Sequence, residues 1–312
     1  MLRILVDAEK PEAGKLAQAG RILRRGGLVA FPTETVYGLG ADALNKESVA
    51  RIYKVKGRPP DNPLIWHANS LEDFNRYVEF NEIAYKLADT FWPGPLTMVL
   101  LNRDGLRTAA VRVPSHPVTK RLINASGCII AAPSANISGR PSPTKAEHVA
   151  DDFTDDDIDM LIDGGPAHKG LESTVVDLHT GSPRLLRPGA ITLEMLRDVL
   201  GHVECPEFDN QNGVPLSPGM KYRHYAPKAP LTLLIGPVEA VSAKITEYNG
   251  DTGILRTYGK EPEIIAQNLF ECLRRFDKAG VSKIVAEGIK EDGIGLAVMN
   301  RLKKAAAEVI YL

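Results

Sequence analysis

The segment Arg51–Ala68, RIYKVKGRPPDNPLIWHA, holds three structural signals in eighteen residues. A basic helical run has to stop before Pro59-Pro60, a loop of Gly, Pro, Asp and Asn follows, and PLIWH is a short aliphatic strand. Helix, tight loop, strand is the unit of an α/β fold. The same alternation extends outward in both directions. Strands are predicted at Leu28–Phe31, Pro63–His67, Leu96–Leu101, Ala109–Val113, Cys128–Ala132, Met160–Asp163, Ser173–Asp177 and Arg184–Arg187. Helices are predicted between them at Lys10–Arg24, Lys46–Lys54, Leu71–Tyr77, Glu82–Phe91, Pro117–Ala125, Thr144–Ala150 and Thr192–Leu200, with Asn45, Ser70 and Thr192 as capping residues.

After about residue 205 the pattern changes. Residues 205–230, CPEFDNQNGVPLSPGMKYRHYAPKAP, lack apolar periodicity and are rich in proline, as expected of an ordered or semi-rigid connector. A compact αβ pattern then resumes: strand Thr232–Gly236, helix Val238–Tyr248, strand Gly253–Gly259, helix Pro262–Ala279, strand Lys283–Ile289 and helix Gly295–Ala307. In the longest of these helices Ile265, Leu269, Cys272, Leu273 and Phe276 recur at 3–4 spacing. The expected organisation is a first α/β domain over 1–205, a connector over 206–230 and a small three-layer α/β domain over 231–312.

Composition narrows the function. The 312 residues are 44% hydrophobic and 25% charged, ordinary values for a globular protein. Lys+Arg 38 against Asp+Glu 39 gives a formal charge of −1, which argues against a global electrostatic grip on nucleic acid but permits a local basic pocket. Cys128, Cys205 and Cys272 form no CxxC pair, so neither a disulfide frame nor a thiolate metal site is implied. No stretch approaches the roughly 20 apolar residues that span a bilayer, and the charged start MLRILVDAEK has no signal-peptide core, so a cytoplasmic protein is expected.

Three segments could carry chemistry. In Arg51–Ala68, Lys56 and Arg58 flank Gly57 at the helix end, where loop cations can converge on one anion. If both reach a ligand, replacing either should weaken ligand use and leave the melting temperature almost unchanged. The alternative is a solvated basic helix end favoured by the helix dipole. In FPTETVYGLG (Phe31–Gly40), hydroxyl, acid and hydroxyl follow a buried strand, either as ligand contacts or as a capped glycine turn. In IIAAPSANISGRPSPT (Ile129–Thr144), small residues and serines could admit a phosphate or ribose, or could form a serine-proline loop. Arg112 and Arg187 lie in or end apolar strands and need anionic partners, structural or substrate. His67 ends an apolar strand, and the acidic run Asp151–Asp159 is expected to be a solvated loop. Walker, dinucleotide-binding glycine-loop, zincin and nucleophile-elbow motifs are all absent.

The order and wording of these segments carry a resemblance. KVKGRP (Lys54–Pro59), NPLIWH (Asn62–His67), FPTETVYGLGADA (Phe31–Ala43), WPGPLT (Trp92–Thr97), VRVPSHP (Val111–Pro117), APSANISGRPSPT (Ala132–Thr144), ESTVVD (Glu172–Asp177) and LLRPGAIT (Leu185–Thr192) together resemble the YrdC family. SPGMKYRHYAPKAP (Ser217–Pro230) with an α/β tail resembles its long two-domain form, the L-threonylcarbamoyladenylate synthases. The match is specific over 27–190 and 217–230; in the tail only the layout agrees. The resemblance implies an open twisted α/β domain with a basic cavity, followed by a small Rossmann-like domain. It implies synthesis of threonylcarbamoyl-AMP and pyrophosphate from ATP, L-threonine and bicarbonate, with Mg2+ accompanying ATP, and delivery of the product to a tRNA threonylcarbamoyl transferase complex. By matching position, Lys56, Arg58, Asn62, Thr108, Ser134, Ser142, Arg187 and Tyr225 would hold ATP, with Lys56 and Arg58 catalytic. Thr35, His67, Arg112, Ala132 (through its backbone) and Ser173 would hold threonine, and the connector would close over the nucleotide. Whether Mg2+ has protein ligands stays open. Two other readings compete. An RNA-binding module is disfavoured by the charge balance and the lack of an aromatic stacking patch. A hydrogenase-maturation carbamoyl transferase would need zinc-finger CxxC pairs.

Overall fold

A computed structural model of the chain describes residues 1–206, 224–248 and 250–312. Most of the predicted connector, 207–223, lies outside the described residues. In chain order the first region contains β1 (Leu2–Leu5), α1 (Ala13–Arg24), β2 (Val29–Phe31), β3 (Gly38–Asp42), α2 (Lys46–Lys56), β4 (Ile65–His67), a 3-10 turn (Glu72–Phe74), α3 (Glu82–Phe91), β5 (Leu96–Leu101) and β6 (Thr108–Arg112). There follow α4 (Pro117–Ser126), β7 (Ile130–Ala131), α5 (Ala146–Asp152), β8 (Met160–Asp163), β9 (Thr174–Asp177), β10 (Arg184–Arg187) and α6 (Leu193–Leu200). The second region holds β11 (Leu231–Ile235), α7 (Val238–Ile245), β12 (Thr252–Leu255), α8 (Pro262–Ala279), β13 (Lys283–Glu287), α9 (Gly295–Ala305) and β14 (Glu308–Tyr311).

The caps agree with local chemistry. Asn45 opens α2 by accepting from the backbone of Glu47 and Ser48, and Thr192 opens α6 by accepting from Met195. Gly57 closes α2 at φ 59°, the left-handed geometry that glycine adopts without cost, so the chain can turn away ahead of the two prolines.

The first ten strands form one mixed sheet in the order β1-β8-β2-β3-β7-β4-β6-β5-β9-β10. Its interior pairings include parallel β4–β6, with His67 opposite Arg112, and antiparallel β4–β7, with His67 opposite Ile130. One apolar cluster, around Leu16, Phe31, Leu122 and Met160, joins α1 and α4 to the sheet. A second, around Phe74, Leu87, Met98 and Leu196, joins α3 and α6 to it. The last four strands form a separate, wholly parallel sheet in the order β12-β13-β11-β14. Leu231, Leu233, Ile284 and Ala286 meet α8 and α9 on one face, while Leu234 and Val285 meet α7 on the other, so the domain has three layers. The core of the second region also takes in Val36 and Leu171 of the first, so the two domains share apolar packing.

Candidate active site

The cavity draws on the ends of β4, β6 and β10, on the loops that follow β2 and β7, and on the segment preceding β9. Thr35, Arg58, His67, Arg112, Ala132, Ser134, Ser142, Ser173, Arg187 and Tyr225 all line it. Among the described residues four arginines (Arg58, Arg112, Arg140, Arg187) and one carboxylate, Glu172, line it; behind the wall Glu34 pairs with Arg112, Asp152 with Arg140 and Arg301 with Glu172. Burial pushes the two lining imidazoles down, His67 to about 3 and His224 to about 4, so both are neutral at neutral pH. The excess of positive charge therefore comes from guanidinium groups.

On one side Arg112 is fixed by its neighbours. Its Nε donates to the Gly94 carbonyl (3.2 Å), its Nη1 donates to Thr35 Oγ1 (3.1 Å), and its Nη2 lies 2.7 Å from Glu34 Oε1. That last contact is an ion pair with poor hydrogen-bond geometry, so the Glu34 oxygens and Arg112 Nη2 lack a well-aligned partner. Burial opposes ionisation of Glu34, but the Arg112 charge outweighs it and holds the carboxyl below the usual range. Thr35 Oγ1 also meets Thr33 Oγ1 at 2.8 Å.

On the other side Arg187 donates through Nε to the Ser173 carbonyl (2.9 Å) and through Nη2 to Ser173 Oγ (3.0 Å), and Ser173 Oγ meets Thr97 Oγ1 (2.8 Å). Ser142 donates to Glu172 Oε1, and Ser134 to Asn136 Oδ1 at 2.5 Å. Arg58 is braced by the carbonyls of Asn62 (3.1 Å) and Pro63 (3.0 Å), and burial lowers it to about 10 while leaving it charged at neutral pH.

Three expected ligand contacts stand elsewhere. Lys56 is 1% exposed and does not line the cavity: its Nζ donates to the Ser134 carbonyl at 2.5 Å and to that of Asn136, tying α2 to the serine loop. Burial, then the nearby Arg58 charge, drives its pKa well down. Replacing Lys56 would leave the Ser134 and Asn136 carbonyls without this donor, which argues for an effect on folding beside any effect on ligand. Asn62 is buried beside Arg58 with Oδ1 unpartnered, and Thr108 is half-buried at the start of β6, opposite Leu101. In the acidic run Asp151, Asp155, Asp156 and Asp159 are exposed as expected of a solvated loop, and Asp152 is the departure. It is buried at the end of α5 between Arg140 (3.0 Å) and Arg274 of α8 (2.7 Å).

Sequence reasoning missed Glu172, Arg140, Thr97 and His224. Glu172 had a signal, a lone acid directly ahead of the apolar strand TVVD. Among the described residues no group of three or more His, Cys, Asp or Glu is placed to hold a metal ion, and no helix is long and apolar enough to cross a membrane.

Two family profiles match the chain. The Sua5_yciO_yrdC profile, described as Telomere recombination, covers residues 21–189; one described as Threonylcarbamoyl-AMP synthase, C-terminal domain, covers 191–307. A threonylcarbamoyl-AMP synthase of Pyrococcus abyssi is 46% identical over 98% of both chains. This chain belongs to the threonylcarbamoyl-AMP synthase family. The threonylcarbamoyl-AMP synthase of Bacillus subtilis is 45% identical, over 94% of this chain and 93% of its own. The crystal structure of P. abyssi Sua5 complexed with L-threonine superposes with a TM-score of 0.94 at 45% identity over the whole of both chains. The two-domain layout is thus that of full-length threonylcarbamoyl-AMP synthases, enzymes whose product serves threonylcarbamoyladenosine formation in tRNA.

Proposed function

We propose that this chain is a nucleotidyltransferase that joins L-threonine, bicarbonate and ATP into threonylcarbamoyl-AMP with release of pyrophosphate. The observation that carries the reading is a cavity with neutral histidines and four lining arginines, of which Arg58 and Arg187 are braced by carbonyl and hydroxyl oxygens rather than by carboxylates. A cavity of this charge suits two anionic substrates held side by side.

Threonine occupies the Arg112 side. The Arg112 guanidinium donates to both oxygens of the α-carboxylate through its terminal nitrogens, and Thr35 and Ser173 meet the amino acid's other polar ends beside neutral His67. The backbone of Ala132 closes that wall. ATP occupies the Arg58–Arg187 side, with Ser134, Ser142 and Tyr225 around it and Lys56 holding the serine loop from behind. The threonine nitrogen, as the free amine, attacks the carbon of bicarbonate with loss of water, or of CO2 with loss of a proton to solvent, to give an N-carboxylate. One oxygen of that carboxylate attacks the α-phosphorus, and the bond to the β-phosphate bridge breaks to release pyrophosphate. No covalent enzyme intermediate is required, so the protein acts by positioning and by neutralising charge on the leaving group. At an effective dielectric near 20, one guanidinium about 4 Å from a phosphate charge contributes about 4 kcal/mol before desolvation. Mg2+ arrives with ATP. The one lining carboxylate, Glu172, is occupied by Ser142 and an arginine, so phosphate oxygens and water would supply the ion's ligands. The product would be consumed by a tRNA threonylcarbamoyl transferase complex in the cytoplasm.

The test is pyrophosphate release by the full chain without RNA. Release should require both L-threonine and bicarbonate; release that continues when threonine is omitted would remove the assignment.

A further inference from the structure

The nucleotide side of the cavity is finished from outside, by the second domain. Arg301 lies on the face of α9 that buries Ala297, Val298, Leu302 and Ala305, and it is 0% exposed. Its Nε donates to Glu172 Oε2 (2.9 Å), and its Nη1 donates to the Pro188 carbonyl (2.9 Å) and to Asn300 Oδ1 (3.0 Å). Its guanidinium carbon sits 5.3 Å from the centroid of the Tyr225 ring. Glu172 in turn accepts from Ser142, and Glu172, Ser142 and Tyr225 all line the cavity while Arg301 does not.

Tyr225 has the one positive φ, 64°, among the described residues other than glycine. A tyrosine holds that conformation only where its surroundings fix it. Two of its ring neighbours come from the second domain: Arg301, and Phe270 of α8, stacked at 5.4 Å and 29°. Burial opposes the charge of Glu172, and Arg301 followed by Arg187 keeps it ionised. Without Arg301, the cavity wall would present a poorly compensated negative charge to an incoming triphosphate, and Ser142 would lose its fixed acceptor.

We infer that Arg301 is a positioning residue of the nucleotide site, holding the Glu172 carboxylate that orients Ser142 and cancelling a charge that would oppose ATP. The inference rests on the ATP-binding reading above. It makes the second domain part of the nucleotide site, beyond its role in packing.

The test uses full-length Arg301→Met, Glu172→Gln and the double variant, with ATP KM, kcat and threonine Kd measured on each. Arg301→Met should raise ATP KM at least tenfold and leave threonine Kd within twofold. Adding Glu172→Gln should return ATP KM to within threefold of the parent, because the uncompensated charge has gone while the amide oxygen still accepts from Ser142. A merely structural arginine would weaken ATP and threonine alike, and the second substitution would not rescue it; either result overturns the inference. If Arg301→Met does not fold, Arg301→Lys replaces it, keeping the charge and losing the fork. It should raise ATP KM about threefold with threonine Kd unchanged, and no change, or equal changes, would overturn the inference. A parent chain with no ATP-dependent turnover would instead fail the functional reading itself.

Discussion

The two sheets of this molecule use buried charge differently. The ten-stranded mixed sheet surrounds a cavity with guanidinium groups, each braced by carbonyls, hydroxyls or a carboxylate. The four-stranded parallel sheet is a three-layer stack that keeps its buried carboxylate, Glu287, on Arg256 and nearby backbone N–H groups of its own domain, while Arg274 and Arg301 on its helices reach across to Asp152 and Glu172 of the first region. Irregular strand pairing and cavity-facing charge thus belong to the first region, and regular packing to the region that braces it. A buried ion pair that crosses a domain boundary is costly to break, about 3–5 kcal/mol when one partner is removed, because the other stays buried and uncompensated.

The strongest way to break that contrast is to remove the braces. Truncation after residue 206 takes Arg274 from Asp152 and Arg301 from Glu172 and bares the apolar surface around Leu171, so turnover should fall below detection and the melting temperature should drop. Unaltered turnover would reduce the second domain to a tether. Arg58→Ala comes next: ATP KM should rise about 100-fold, equivalent to about 2.7 kcal/mol, with threonine Kd nearly unchanged. Equal weakening of both substrates would place Arg58 outside the nucleotide side. Lys56→Ala should act chiefly on stability, since two buried carbonyls lose their donor at about 1–3 kcal/mol each. A melting curve that superposes on the parent's would contradict its bracing role.

Acid should separate the regions further. His67, His116 and His224 are held by burial at about 3, 4 and 4, whereas an unfolded imidazole titrates near 6.5. Below pH 6.5 the unfolded chain takes up protons that the folded chain refuses, so stability falls at up to about 1.4 kcal/mol per pH unit for each histidine. Residues 231–312 contain no histidine. Urea unfolding should therefore give lower stability at pH 5.5 than at 7.5, with hydrogen-exchange protection, corrected for intrinsic rates, lost in β4 and β6 before β11 and β13. Equal loss in both sheets would contradict the assignment. The smallest effect is expected for Thr108→Ala, whose site lies outside the cavity wall: ATP KM should move less than threefold.

Legibility in the sequence followed the same division. β5, β8, β10, α3 and α8 have the bounds that their aliphatic runs and 3–4 spacings predict, because propensity and burial agree there. β3 was hidden because GLGAD reads as a turn. Its glycines serve a close approach instead: a Cβ at Gly40 would lie 2.6 Å from both the Phe31 ring and the Ile130 side chain. β1 and β14 are edge strands with largely exposed side chains, so no alternation betrays them. The run predicted as a helix at Leu71–Tyr77 narrows to a 3-10 turn at Glu72–Phe74. Of the site, the loop arginines and serines were legible as polar residues beside apolar strands. For Lys56 the sequence shows a charge at a helix end but not the Ser134 and Asn136 carbonyls that close over it. Arg301 shares the helical stripe of Ala297, Val298, Leu302 and Ala305, and a charged residue on such a stripe is the pattern that announces a buried partner.

Threonine binding next to nucleotide is the step on which every assigned residue role depends. L-threonine titrated calorimetrically into the full chain preloaded with a nonhydrolysable ATP analogue should bind with one-to-one stoichiometry. The heat should vanish in a folded Arg112→Ala variant. Absence of heat in the parent chain, or undiminished binding in the variant, would contradict those assignments.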